Sequence, residues 1–388
     1  MYATGSIRPR VHADERRNVV VAGFLHGVVH ANILAIPVFL ALAWRTEFQA
    51  DDTTLGLLAA SAYACFGLGS VPFGHLSDRQ PSRTLLLVCS GGIGGSLVAV
   101  ALSPSLASLA ASLAALGGFS GIYHPAGLSL ISRTVREQGR GMGWHGMGGS
   151  LGIAIGPAVV GGLLAVGWPW RQAMLVLLAP STAALALLVT PGIREGSRPR
   201  RNDGLRSSMR GVCTKAFLGI LLVYALAGVA YWGSLTFLPS VVGAGSYAFL
   251  LALGAAGQVF SGYLADRPRS DRLLLGLSLA AAWFLILMSL GNPGLGVVAA
   301  WAFGFLLFSL EPLQNTLVTN EVPADLRGIA FGMTFLSVFG IGSIGSVAAG
   351  FLRSAGYANE LFVILAAVLA ASGGFAAFAG AATRRRKG

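Results

Sequence analysis

Charged residues are scarce in this sequence. Asp, Glu, Lys and Arg make up 11% of the 388 residues, whereas hydrophobic residues make up 54%. A soluble domain carries roughly 25% charged residues, which it needs to cover its surface in water. So low a share excludes an ordinary soluble enzyme or binding domain. It predicts a chain that is solvated largely by lipid.

Cysteines are also few, and no catalytic motif is found. Cys65, Cys89 and Cys213 lie in or next to apolar stretches without paired spacing, which argues against a disulfide framework or a cysteine-based zinc site. The sequence has no H-E-x-x-H pair and no phosphate-binding loop of the G-x-x-x-x-G-K-[ST] kind. The basic N-terminal segment carries no cleavable signal pattern. We therefore expect neither an enzyme nor a bound cofactor, and we expect the first apolar span to be retained.

Long apolar runs fill the rest of the chain. A membrane-spanning helix needs about 20 mostly apolar residues. We find twelve such spans, at 19–44, 54–77, 84–103, 105–132, 141–167, 171–190, 212–241, 245–265, 272–291, 294–319, 328–353 and 358–381. This predicts an all-α polytopic membrane protein. The fold class is twelve transmembrane helices in two pseudo-symmetric six-helix bundles, covering 1–193 and 212–388 and joined by a cytoplasmic linker at 194–211.

The positive charge is confined to the loops. With a net charge of +12 the chain could bind nucleic acid. If the N-terminus is cytoplasmic, however, its 27 basic residues all fall on the cytoplasmic side of the membrane, with the exception of Arg45, Arg171 and Arg353. That asymmetry is typical of membrane proteins, whose cytoplasmic loops are enriched in Lys and Arg. The sequence predicts a bacterial-type inner-membrane protein with both termini in the cytoplasm, surrounded by lipid, with no nucleic-acid partner.

A short loop motif occurs once in each half. FGHLSDRQPSR follows span 2 and SGYLADRPRSDR follows span 8. The matching positions are Gly74, Asp78 and Arg79 in the first copy and Gly262, Asp266 and Arg267 in the second. The first copy, which continues to Arg83, resembles the loop signature of the major facilitator superfamily. This resemblance implies a secondary transporter that works by alternating access, as a monomer, on a small molecule. It also implies that Gly74, Asp78, Arg79, Arg83, Asp266 and Arg267 form a conformational latch.

Two further segments resemble particular members of this superfamily. GSLGIAIGPAVVGG, with Gly152, Gly156, Pro157 and Gly161, resembles the signature of its antiporters and implies export, although ordinary small-residue packing would also use these residues. Three features resemble the fosmidomycin-resistance-like efflux branch. They are the His124-Pro125 pair of span 4, the glycine-rich start of span 5 and a histidine in span 1. His30 departs from that branch, where an acidic residue would be expected.

Polar residues inside apolar spans are costly and therefore mark functional sites. They are Glu311 in span 10 and His26, His30, His124 and His145 in spans 1, 4 and 5. Histidine titrates near neutral pH and suits proton transfer. Both His124 and Glu311 directly precede a proline at equivalent positions of the two halves. We expect these residues, with Tyr123, Tyr231 and Trp232, to bind the substrate and protons, and His30, His124, Trp232 and Glu311 to face a central cavity.

Two alternatives remain open. His26 and His30 are one helical turn apart on the same face and, with Glu311, could hold a transition-metal ion, so the chain could transport a divalent metal or a metal chelate. A membrane receptor or enzyme without transport activity is the other class. The sequence favours proton-coupled export of a small organic molecule or drug. We then expect the histidines to contact that molecule or span 5 and to bind no metal.

Overall fold

All regular secondary structure that the molecule shows is helical. The computed structural model describes residues 13–77, 79–136, 138–195, 204–265, 270–323 and 326–387. Within these ranges, twelve helices are long and apolar enough to cross a membrane. The predicted fold class, an all-α polytopic membrane protein with twelve transmembrane helices, is therefore confirmed.

The first six helices form one half of the molecule. They are α1 (Glu15–Glu47), α2 (Asp52–Ser77), α3 (Ser82–Ala101), α4 (Leu106–Thr134), α5 (Gly141–Ala165) and α6 (Trp170–Val189). The side chain of Ser105 accepts a hydrogen bond from the Ser108 backbone N–H and so caps the start of α4. These bounds lie within a few residues of the predicted spans.

The last six helices form the other half. They are α7 (Lys215–Val242), α8 (Ala244–Ala265), α9 (Ser270–Ser289), α10 (Pro293–Glu321), α11 (Arg327–Ser354) and α12 (Ala358–Phe378). A short helix, Leu205–Val212, precedes α7. Residues 196–203 of the predicted linker lie outside the described ranges, so the domain boundaries at 193 and 211 stay predictions.

The same helix pairs occur in both halves. α1 packs on α5, α2 on α4 and α3 on α6, and correspondingly α7 packs on α11, α8 on α10 and α9 on α12. The halves meet where α2 contacts α11 and where α5 contacts α8. The two contacts are equivalent, because α2 of the first half corresponds to α8 of the second and α5 corresponds to α11. The arrangement is thus two pseudo-symmetric bundles, as expected for parallel repeats.

Small residues let α1 and α5 cross with their backbones in contact. A Cβ atom added to the α5 glycines would overlap backbone atoms of α1. The contacts repeat one turn apart: Gly148 against Gly23, Gly152 against Gly27 and Gly156 against Ala31. In lipid, helices associate through such close van der Waals packing. The glycines that resemble an antiporter signature therefore hold α5 against α1.

Helices α2 and α11 join the two halves along their whole length. Gly56 lies against the Ser346 backbone, Gly67 against Gly340, and Gly74 against Gly328, where a Cβ would be 3.3 Å from the carbonyl oxygen. We call the end of the molecule near Gly74 the linker end, because the described residues on either side of the linker, 190–195 and 204–214, lie there. We call the end near Gly56 the Asp52 end. The halves are in contact at both ends.

Several helices deviate from regular α geometry. α4 is interrupted at Gly121 and Ile122, directly before Tyr123, because Pro125 has no N–H to bond the Gly121 carbonyl. α1 and α11 contain π-helical segments, Leu40–Trp44 and Leu336–Ile341. Segments of this kind are rare and are found mostly at functional sites. The break in α4 presents Tyr123 and His124 to α1.

Candidate functional site

The two histidines of α1 contact each other and α5. His26 Nε2 and His30 Nε2 are 3.0 Å apart, and His26 Nδ1 lies 3.0 Å from the backbone oxygen of His145. The His26 ring also stacks on the His145 ring, with centroids 4.3 Å apart. A Cβ on Gly149 would overlap the His26 ring, which explains why position 149 is a glycine.

The break in α4 completes this cluster. Tyr123 donates a hydrogen bond from its hydroxyl to the Ala22 carbonyl of α1, and its ring stacks on His26 at 5.1 Å. The His124 ring is edge-on to His26 at 5.0 Å and lies 5.3 Å from His30. The structure thus brings together five of the predicted site residues from three helices of one half.

Three of these side chains form a possible metal-binding set. The donor nitrogens of His26, His30 and His124 all lie within 4.8 Å of one another. His26 and His124 are only 8% and 4% exposed. Imidazole suits zinc, copper, iron and nickel. Glu311, which the sequence suggested as a further ligand, does not belong to this set.

Aromatic rings fill the space between the halves. Trp232 of α7 is fully buried and stacks on Tyr63 of α2 with centroids 3.7 Å apart, while Tyr231 is edge-on to it at 4.7 Å. His124 stacks on Phe335 of α11 at 4.2 Å. Trp232 and His124 are thus held in contacts between the halves and are not exposed to an open cavity.

Glu311 lies at a second polar site, in the other half. Its carboxylate accepts a hydrogen bond from Gln258 Nε2 of α8 at 2.6 Å, and the side chain is exposed. Gln258 Oε1 in turn accepts one from Ser150 Oγ of α5 at 2.7 Å. The three residues form a chain of hydrogen bonds from α10 through α8 to the opposite half. Sequence reasoning missed Gln258 and Ser150, although a lone amide in the apolar α8 was an available signal.

His124 and Glu311 occupy equivalent positions but have different partners. Each directly precedes a proline, Pro125 in α4 and Pro312 in α10. α10 continues without a break through Pro312, whereas α4 is interrupted. His124 joins the histidine cluster, while Glu311 is hydrogen-bonded to Gln258. The two halves therefore place different chemistry at matching depths.

The residues of the predicted latch are only partly described. Gly74 packs against Gly328 of the other half, as a close helix contact requires. Arg83 donates hydrogen bonds to the carbonyls of Leu188 and Val189 at 2.8 and 2.7 Å, so its guanidinium caps the end of α6 in its own half. Arg79 is exposed. Asp78, Asp266 and Arg267 lie outside the described residues.

A polar contact at the Asp52 end was not predicted. The Asp52 carboxylate pairs with Arg45 at the end of α1 and with Arg353 of α11. Thr53 Oγ1 and the Ser354 hydroxyl, one residue further along each helix, lie 3.0 Å apart. This end therefore joins the halves through ionic and polar contacts. Arg45 and Arg353 are two of the three basic residues that the predicted orientation places outside the cytoplasm.

A groove on the outer surface of the first half is separate from both polar sites. It has a volume of ≈ 1180 Å³ and lies between α1, α5 and α6. Its walls include the exposed side chains of Trp144, Leu151 and Ile155. Apolar side chains that point away from the protein core suit a lipid environment.

Comparison with known proteins identifies relatives along most of the chain. Residues 20–347 match the Major Facilitator Superfamily. The uncharacterized MFS-type transporter YfnC of Bacillus subtilis is 22% identical over 369 residues, which cover 90% of this chain and 89% of that protein. The puromycin resistance protein pur8 of Streptomyces alboniger is 28% identical over 296 residues, covering 74% of this chain and 53% of that protein.

Solved structures show the same fold. A bacterial homolog of the human lysosomal transporter Spinster, in an inward-facing and unoccupied conformation, superposes with a TM-score of 0.70. The superposition covers 95% of this chain and 97% of that one, at 16% identity. Together with the twelve apolar helices and the paired halves, these matches place the chain in a family of multi-pass membrane transporters that bind small molecules. The chain belongs to the Major Facilitator Superfamily and is a transporter, not an enzyme.

Proposed function

We propose that this transporter exports a small organic molecule or drug by alternating access, driven by protons that bind to Glu311. The observation that carries the proposal is the hydrogen-bond chain from Glu311 through Gln258 to Ser150. It links a carboxylate in a membrane-spanning helix to the interface between the two halves. Ionisable groups at such depth are costly and are kept for function.

The charge on Glu311 changes the strength of this chain. An ionised carboxylate accepts a charge-assisted hydrogen bond from the Gln258 amide, which is roughly twice as strong as a neutral one. When a proton binds, this contact weakens, and Gln258 is the residue that holds Ser150 of α5. Proton binding at α10 thus loosens the α5–α8 contact between the halves. The side chain of Glu311 has accessible surface, and we propose that protons reach it there.

The surroundings favour an organic substrate that is partly apolar. Tyr231 of α7 lies edge-on to Phe308 of α10, with centroids 5.3 Å apart. Tyr224 donates a hydrogen bond to Asn315 Oδ1 at 2.8 Å, one turn beyond Glu311. Aromatic rings and amides recognise apolar bodies with a few polar groups. The sequence places no Lys or Arg in the middle of a span, so recognition of a strongly anionic substrate would lack a fixed positive charge.

Export is supported by two observations. The motif with Gly152, Gly156, Pro157 and Gly161 resembles that of antiporters, and one relative is a puromycin resistance protein. The His124-Pro125 pair supports placement in the fosmidomycin-resistance-like branch. We place the monomeric transporter in a bacterial-type inner membrane with both termini in the cytoplasm. Its basic loops, including Asp78, Arg79, Asp266 and Arg267, would then close the cytoplasmic end.

Transport by Glu311→Gln tests the proposal. This substitution keeps the shape of the side chain and one hydrogen-bond acceptor but cannot bind a proton. In proteoliposomes, with puromycin as the probe, we expect the variant to lose accumulation driven by a pH gradient and to retain exchange of labelled for unlabelled drug. Accumulation at the wild-type rate under the same gradient would contradict the proposal.

The matched control is Glu321→Gln. Glu321 lies at the end of the same helix, where its carboxylate is near the Thr214 hydroxyl at 3.5 Å. It makes no contact with Gln258 in the described structure, so we expect normal coupling. Loss of coupling in both variants would mean that the effect of Glu311→Gln is not specific.

A further inference from the structure

We infer that His26, His30 and His124 form a binding site for one late transition-metal ion, such as Zn²⁺, Cu²⁺ or Ni²⁺. This inference goes beyond proton-coupled transport and does not depend on Glu311. The sequence offered only the pair on α1 and favoured organic contacts over a metal. The structure adds a third imidazole, from α4, and a backbone group that orients the first.

The backbone of α5 fixes the tautomer of His26. A carbonyl oxygen only accepts hydrogen bonds, so the contact between His26 Nδ1 and the His145 oxygen at 3.0 Å requires the proton on Nδ1. The lone pair of neutral His26 is then on Nε2, which faces His30 Nε2 at 3.0 Å. Metal-binding histidines almost always donate their other N–H to a carbonyl or carboxylate in this way.

His124 supplies a third donor with no other role in hydrogen bonding. Its Nε2 is buried and has no hydrogen-bond partner among the described residues. A buried polar atom without a partner is costly, so a bound ligand that uses it is favoured. The ring of His124 is held in place by Phe335 on one side and Phe66 on another.

The distances are close to those of a metal centre. Two nitrogens that each lie about 2.0–2.1 Å from a tetrahedral zinc ion are about 3.3 Å apart. The pair on α1 is at 3.0 Å, and the largest separation in the set is 4.8 Å. Binding would draw the His124 ring towards the pair on α1. Binding moves the His30 proton from Nε2 to Nδ1, so both Nε2 lone pairs can face the ion without release of a proton.

The donor type selects the class of ion. Imidazole nitrogens suit zinc, copper and nickel, whereas calcium and magnesium prefer oxygen ligands. All three ligands are neutral, so the bound ion keeps its positive charge. Three nitrogens leave one position of a tetrahedral ion open. An anionic group, such as a carboxylate or hydroxide, is the chemistry that would complete it.

Metal binding by the purified full-length chain tests the inference. The protein carries no polyhistidine tag and is stripped with a chelator before Zn²⁺ or Cu²⁺ is added. We expect one ion per chain, an increase in melting temperature with micromolar Zn²⁺, and nitrogen hyperfine lines in the Cu²⁺ electron paramagnetic resonance spectrum. Absence of these lines in the wild-type protein would overturn the inference without the use of any variant.

Substitutions identify the ligands. Second-shell changes alone cost about tenfold or more in metal affinity, so we expect His26→Ala, His30→Ala and His124→Ala each to weaken Zn²⁺ binding by at least about tenfold. His75→Ala, in α2 outside the cluster, is the matched control and should bind like the wild type. Circular dichroism shows whether each variant is folded. Folded variants of all three histidines that bind Zn²⁺ normally would refute the site.

Discussion

Arg353 Nε lies 3.2 Å from Asp52 Oδ2, an ion pair that ties α11 of one half to α2 of the other. The same carboxylate pairs through its other oxygen with Arg45 of α1. The side chains of Asp52 and Arg353 are 14% and 15% exposed, so the pair is largely shielded from water. Any state that opens the Asp52 end has to break this contact between the halves.

Asp52→Asn should therefore shift the protein towards a state that is open at the Asp52 end. Surface ion pairs contribute about 0–1 kcal/mol, and breaking a buried pair costs about 3–5 kcal/mol. The Asp52–Arg353 pair lies between these cases, so we expect its loss to change the free-energy difference between the closed and open states by about 1–2 kcal/mol. Spin labels at Thr46 and Tyr357, in a background without the three cysteines, should report a longer distance. The neighbouring Asp51→Asn is the control, because Asp51 accepts a hydrogen bond from the Thr54 N–H of its own half. An unchanged distance distribution in Asp52→Asn would show that the pair does not hold this end closed.

Gly152→Ala should destabilise the first half. A Cβ at Gly152 would overlap the backbone of Gly27, and backbone atoms cannot move aside as a flexible side chain can. Overpacking of this kind costs about 1–3 kcal/mol. Thermal unfolding in detergent should show a lower melting temperature. Gly162→Ala in the same helix is the control, since no atom lies within 4 Å of its added Cβ. Equal melting temperatures for the two variants would count against backbone contact at the α1–α5 crossing.

Trp232→Ala should destabilise the interface between the halves. It removes the ring that stacks on Tyr63 at 3.7 Å, and truncation of a buried aromatic residue costs about 3–5 kcal/mol. The measurement is again the melting temperature. Trp283→Ala is the matched control, because Trp283 is 57% exposed. It should change the melting temperature little. If Trp232 lined an open binding cavity instead, its removal would leave the melting temperature nearly unchanged and abolish ligand-induced stabilisation.

Arg83→Gln should lower stability without changing the balance of conformations. Its guanidinium donates to the Leu188 and Val189 carbonyls at the end of α6, where positive charge is favourable. Loss of these bonds should cost about 1–3 kcal/mol. The exposed Arg206, replaced in the same way, serves as the control. A change in the distance between spin labels on the two halves at the linker end would instead assign Arg83 to a latch between them.

The fold could be predicted because each span is a continuous apolar run between basic loops. A sequence of this kind has few other ways to satisfy its backbone in lipid. Equivalent positions in the two halves, such as Pro125 and Pro312, exposed the internal repeat. Fold prediction thus required only the local composition of each span and the repeat between the two halves.

The candidate site could be predicted only in part. The spacing of His26 and His30 places them on one face, but no spacing within α1 shows that His124 of α4 completes the set. The stacking of Trp232 on Tyr63 was not predicted, because stacking partners on other helices are not visible in the sequence. Gln258 was missed because only ionisable residues inside the spans were considered, although a lone amide in an apolar span is also a signal.

The π-helical segments at Leu40–Trp44 and Leu336–Ile341 give α1 and α11 a way to move that rigid halves lack. A π-turn holds one more residue than an α-turn, so conversion of such a segment to α geometry rotates the rest of the helix by about 100° and shifts it by about 1.5 Å. This is a screw motion within a single helix. Arg45 directly follows the first segment, and Phe335 directly precedes the second. A change of register at these two points would turn the ion pair at the Asp52 end and the ring on His124 relative to their partners. The α1–α5 glycine crossing, which precedes the first segment, would stay in contact.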